Sequence, residues 1–178
     1  MKVVTSRVKK LYITGIDNQD PITVIMEDFG VGQGKIIIEC FGDSWSYCWG
    51  AMGERDLAEF FTTCGEDYLI NKLSPFVEKE IAAERGLVNH LRKHILESRR
   101  IDELSKEQAR NMWEIVYDVP DDADSRYLGH ESHFPIEELL GDEWWYCLPK
   151  KENHKYLYIK KIVNIVRDAI EVNLSMER

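Results

Sequence analysis

No run of apolar residues in this sequence is long enough to cross a membrane. The unbroken stretches are a few residues, as at Ile36–Ile38, where a spanning helix needs about 20. The N-terminus, MKVVTSRVKK, is basic, but a charge returns before any apolar core can form, so no signal peptide is expected. Cysteine is sparse. Cys40, Cys48, Cys64 and Cys147 form no CxxC pair, which removes the usual zinc-ribbon and dithiol-redox spacings. Without a secretion signal these four are expected as free thiols in a cytoplasmic protein. There is no GxSxG elbow, the strained turn that exposes a serine nucleophile. Internal repeats and low-complexity tracts are missing as well.

Positive charge is also short, and unevenly so. The net charge is −9. Residues 118–147 carry one arginine against nine carboxylates, a balance of −8, whereas residues 148–178 are positive by three. Such a field repels nucleic acid and attracts basic surfaces. No direct nucleic-acid binding and no membrane association are expected. Lys150, Lys151, Lys155, Lys160 and Lys161 are the cations that would neutralise the acidic stretch if they folded back onto it.

What is present reads as one α+β domain over 1–178. Residues 1–53 form a β-meander, 54–117 a helical region, 118–147 an acidic loop region and 148–178 a C-terminal helix. KLYITGI, PITVIMED, KIIIECF and SWSYCWG alternate with period two and are joined by short turns, which predicts about four antiparallel strands. The period then lengthens. Leu57, Phe60, Phe61 and Cys64 recur at helical spacing. A short helix over 66–73 follows, stopped by Pro75. Ser74-Pro75 reads as the start of a further helix reaching Arg99, with Gly86 a possible break. Ser105 with Gln108 is a capping box opening a helix to about Tyr117. IEELL predicts one or two helical turns, and WWYCL a fifth strand or a buried loop. Residues 153–174 carry a broad apolar stripe. An antiparallel sheet needs one face covered, and the helices after residue 54 are expected to cover it.

The chemical candidates are thin. GVGQGK has the glycines of a phosphate loop, but a β-branched strand follows it where a helix would be needed, so it predicts a hairpin turn. His90 and His94 share a helix face at a spacing zinc accepts. His130, His133, Cys64 or Cys147 would have to complete the set. HLRKH lacks the glutamate that a HExxH hydrolase uses as base. DDADS lacks the glycine and the distal glutamate of a calcium loop. Glu137-Glu138 and Asp142-Glu143 are adjacent pairs, whose side chains diverge too far for paired acid–base work. No catalytic residue, metal ligand or cofactor is assigned.

Two aromatic clusters remain. Trp45, Tyr47 and Trp49 lie on one face of a strand opposite Ser44, Ser46 and Cys48, which predicts core packing beneath the helices. Trp144 and Trp145 are consecutive, so as a strand one of them must face away from the core. An apolar anchor among carboxylates is a docking patch for a basic protein. The candidate partner-binding residues are Asp121, Asp122, Asp124, Glu137, Glu138, Asp142, Glu143, Trp144 and Trp145.

The stretch GQGKIIIECFGDSWSYCWGAMG, followed by AEFFTTCGEDYLINKLSP, resembles a family of small proteins of enterobacterial temperate phages and prophages. The likeness runs from Gly32 to Pro75. It implies an accessory protein acting in the host cytoplasm, of the kind that binds and inhibits or redirects host machinery, including anti-phage defence. It carries no catalytic residue with it. Joined to the charge pattern, it gives a partner with a basic surface, a host or defence-system protein. The alternatives are a metal-dependent enzyme acting on nucleotides or nucleic acid, and a phage structural or assembly protein.

Overall fold

The computed structural model of the chain describes residues 1–83, 86–119 and 136–177, apart from the side chains of Ile136 and Glu138. The backbone divides into two compact units. One holds the described residues of Met1–Glu78 and His154–Arg178, the other those of Lys79–Asn153. Each has its own apolar core.

The first unit is built on the predicted meander. Strands β1 (Lys9–Ile13), β2 (Ile22–Gly30), β3 (Gln33–Cys40) and β4 (Asp43–Trp49) pair in chain order, all antiparallel. Alternation fixes the register. Ile22, Val24 and Met26 stand opposite Cys40, Ile38 and Ile36, and all six are buried. Slipping the strand by one residue would turn that whole row to solvent. On β4, Trp49 is buried and Trp45 and Tyr47 pack half-buried on the same core, while Ser44, Ser46 and Cys48 are exposed. The aromatic strand is therefore core, as its spacing predicts.

Helices α1 (Leu57–Thr63), α2 (Glu66–Leu73) and the C-terminal helix, here α6 (His154–Met176), belong to the same core. Helix α1 lies against β2 and β3, α2 against β4, and α6 against both helices. Polar clasps fix the entry to α1. Asp56 caps it by accepting from the Glu59 N–H at 2.8 Å, and Asp28 of β2 accepts from the Leu57 N–H at 2.9 Å. The corner between α1 and α2 is tied to α6 by Arg167, which donates to the Cys64 carbonyl at 2.7 Å, and by the Tyr156 hydroxyl, which donates to Asp67.

GVGQGK is the β2–β3 hairpin turn. Its Gly32 is irreplaceable for two reasons. Its φ is +70°, and a Cβ there would lie 2.0 Å from the Gly53 carbonyl oxygen. The Gly32 carbonyl in turn accepts from the Met52 N–H at 2.7 Å. Gly32→Ala is expected to destabilise this unit by more than about 1 kcal/mol, since backbone strain and a backbone clash add. Denaturant titration checks it.

Glu66, at the start of α2, makes an ion pair with Lys160 at 2.9 Å and accepts from Asn164 at 2.6 Å. These bonds, Lys160 first, hold its carboxyl below the ordinary 4.5. A carboxyl lowered by folding contributes stability that is full above its unfolded pKa. That contribution fades as pH falls through the folded value. Glu66→Gln is therefore expected to lower the melting temperature at pH 7, with the gap to the unaltered chain closing as pH drops below about 4.5. A thermal-melt series over pH 3–7 tests this; a gap constant with pH contradicts it.

The second unit is helical. Its chain enters and leaves through a two-stranded ribbon, β5 (Glu80–Ala82) paired with β6 (Lys150–Glu152). Helices α3 (Leu87–Arg100) and α4 (Lys106–Tyr117) pack together, and α5 (Ile136–Leu140) packs on α3. The capping box is present: Ser105 Oγ accepts from the Gln108 N–H, and Gln108 accepts from the Ser105 N–H.

The long helix expected from Ser74-Pro75 does not form. Ser74 instead ends α2, its N–H donating to the Ile70 carbonyl at 2.8 Å. Pro75 then leads the chain into a turn and β5. Gly86 is not interior to a helix. It has φ +92° and caps the start of α3, a left-handed conformation no helix interior can hold. WWYCL is not a strand, and of its five residues only Leu148 is buried. It contains a 3-10 turn, Trp144–Tyr146, with no fully buried residue.

Candidate docking surface

The aromatic turn follows from its neighbours. Gly141, with φ +82°, ends α5, its N–H donating to the Glu137 carbonyl at 2.8 Å. The chain then closes tightly: the N–H groups of Trp144, Tyr146 and Cys147 donate to the carbonyls of Gly141, Glu143 and Trp144. Successive side chains in a 3-10 turn point about 120° apart, so the two indoles separate. Trp144 is half-buried and packs on the core that includes Leu139 and Leu148. Trp145 is 50% exposed and Tyr146 67% exposed. The three rings touch in series, with centroids 5.9 Å apart at each step.

Glu137, Asp142 and Glu143 are exposed on the same segment. Among the described residues none of the three makes an ion pair. Two of the C-terminal lysines are engaged elsewhere: Lys160 pairs with Glu66, and Lys161 donates to the Asn18 carbonyl. Asp121, Asp122 and Asp124 lie outside the described residues, as does the side chain of Glu138.

Two further concavities stand in the two units. In the first, Asp43, Trp45, Ser74, Phe76, Lys155 and Tyr158 line a groove of 340 Å³. Tyr158 is pushed up to about 12, chiefly by its hydrogen bond to the Cys40 thiol and by burial. It holds its proton at any physiological pH and is no general base. In the second, α3 and α4 enclose an open groove of 320 Å³ whose sides carry Arg99, Lys106 and Arg110 with one carboxylate, Glu114. Sequence reasoning missed this cationic face. Its signal was the recurrence of Lys106, Arg110 and Trp113 at spacings of four and three, on one side of α4.

Among the described residues the histidine pair gains no metal-ligating partner. His90 and His94 are half-buried on α3, and His94 Nδ1 lies 3.4 Å from Ser98 Oγ. Among the described residues no three His, Cys, Asp or Glu side chains converge as ligands; His130 and His133 fall outside them. The cysteines are free. Burial, partly offset by Arg55 and Arg167, pushes the Cys64 thiol up, opposite to the shift an activated nucleophile requires.

Comparison with known proteins adds one identification. A model described as a phage family matches residues 1–172. The chain belongs to that phage family, and the match extends well beyond the Gly32–Pro75 likeness in both directions. No curated protein and no solved structure matched the chain. No described helix is long and apolar enough to cross a membrane.

Proposed function

We propose that this phage-family protein is an accessory factor that binds a host protein with a basic surface, a component of anti-phage defence among the candidates, and blocks or redirects it. The docking surface is the aromatic turn with its acidic surround. The observation that carries this reading is the half-exposed Trp145 beside the more exposed Tyr146, among carboxylates without ion-pair partners in the described structure. An aromatic anchor supplies most of the affinity in such an interface, and the surrounding charge sets encounter rate and partner choice. The −8 balance of residues 118–147 favours a cationic partner and disfavours nucleic acid.

The test is co-purification from phage-infected cells with tagged protein, unaltered and as Asp142→Asn/Glu143→Gln. A protein retained at low salt by the former and depleted with the latter is expected. Equal retention at every salt concentration contradicts an acidic docking face.

A further inference from the structure

The α3–α4 groove has the opposite chemistry to the aromatic turn, and both lie on the same unit. Its floor is apolar, with Ile95, Leu96, Ala109 and Trp113. Leu96 is 47% and Trp113 36% exposed. Its sides carry three cations, Arg99, Lys106 and Arg110, against one carboxylate, Glu114, and are positive on balance. Lys106 and Arg110 are exposed and have no ion-pair partner among the described residues, while Arg99 is partly answered by Asp102 at 2.7 Å. At one end the Arg92 guanidinium sits 5.8 Å from the centre of the Trp113 ring, and its Nε is buried with no acceptor among the described residues.

An apolar floor between cationic walls selects a ligand with apolar side chains flanked by carboxylates. A nucleic-acid backbone would satisfy the walls and leave the floor uncovered. The chain displays such a ligand itself: Trp145 and Tyr146, exposed, beside Asp142 and Glu143. A groove of 320 Å³ has room for one of those aromatic side chains. Exposed apolar patches ringed by charge mark association surfaces, and here two of complementary sign occur on one molecule.

We infer that copies of this chain associate with one another, the aromatic turn of one copy seated in the α3–α4 groove of the next. Trp145 or Tyr146 enters the groove, and Asp142 and Glu143 pair with Lys106 and Arg110 of the receiving copy. Head-to-tail contacts of this kind close into rings or extend as chains; either form contains the contact. Both readings use the aromatic turn, so self-association and host docking compete for it; sedimentation of the chain alone tests the first without any host protein, and its failure leaves the second intact.

Sedimentation velocity on the full chain tests it, with two charge-reversed variants, Lys106→Glu/Arg110→Glu and Asp142→Lys/Glu143→Lys. Circular dichroism melts confirm that each is folded. The unaltered chain is expected to associate with rising concentration at low salt and to dissociate at high salt. Each variant alone presents like charges across the contact and should associate at least about 100-fold more weakly. Mixed together, the two variants present opposite charges and should associate again. An unaltered chain that stays monomeric at about 100 μM in low salt overturns the inference. So does association that ignores both reversals. A monomer that instead binds heparin through Arg110 would assign the groove to a polyanion, and also overturns it.

Discussion

Phe61→Ala is expected to remove about 3–5 kcal/mol from the stability of the sheet-based unit, the range for emptying a buried phenylalanine site. Phe61 is 0% exposed and among the largest of the fully buried side chains. It lies on α1, the helix that touches β2, β3 and α6 at once, and its ring meets Trp49 edge-on at 6.4 Å. The cavity left behind would be walled by sheet and helix together, so no single element can relax into it. Domain stabilities are about 5–15 kcal/mol, so the loss is a large share of the whole. In calorimetry the transition of this unit should fall by more than about 10 °C. A loss under about 1 kcal/mol would mean that the helices do not close over the sheet as described.

The second large effect concerns binding. Trp145→Ala/Tyr146→Ala should weaken partner binding by at least about 100-fold, since aromatic anchors at interface centres each contribute about 2 kcal/mol or more. Its cost in stability should be small, because neither side chain belongs to the buried core of the second unit. Trp144→Ala should behave in the opposite way. Trp144 packs on that core, so its loss destabilises the unit. The contrast between adjacent tryptophans separates a docking role from general damage to the fold.

Most of the first unit was legible because its patterns are strong. Strict alternation in ITVIM and KIIIEC places every other side chain on one face, and the turns between strands are short. The capping box at Ser105 and the stripe of α6 are equally local signals. The ribbon of β5 and β6 was not legible. Three-residue strands in charged stretches have no period to read, and their pairing is made by partners about 70 residues apart in sequence. The helix expected after Pro75 failed because two local signals were given the wrong sense. A serine before a proline can close one helix as well as open another, and Gly86, with φ +92°, stands at a helix start rather than inside one.

The cationic groove was hidden by arithmetic along the chain. Residues 54–117 sum to −3, because Glu97, Asp102, Glu103, Glu107 and Glu114 offset the bases in sequence. In three dimensions Arg99, Lys106 and Arg110 gather on one groove, where Glu114 is the single carboxylate among the lining residues, so charge counted by face differs from charge counted by segment. The aromatic turn was legible in part. In a strand with one covered face two consecutive tryptophans cannot both be buried, and the 3-10 turn formed here likewise packs Trp144 and exposes Trp145.

The most direct measurement is the affinity of the co-purified host protein for the unaltered chain, for Trp145→Ala/Tyr146→Ala and for Asp142→Asn/Glu143→Gln, each across a salt series. The account predicts tight, salt-weakened binding by the first, loss of affinity with the second at unchanged melting temperature, and slower association with a flatter salt dependence for the third. Equal affinity and equal salt dependence in all three would place the docking surface elsewhere on the molecule.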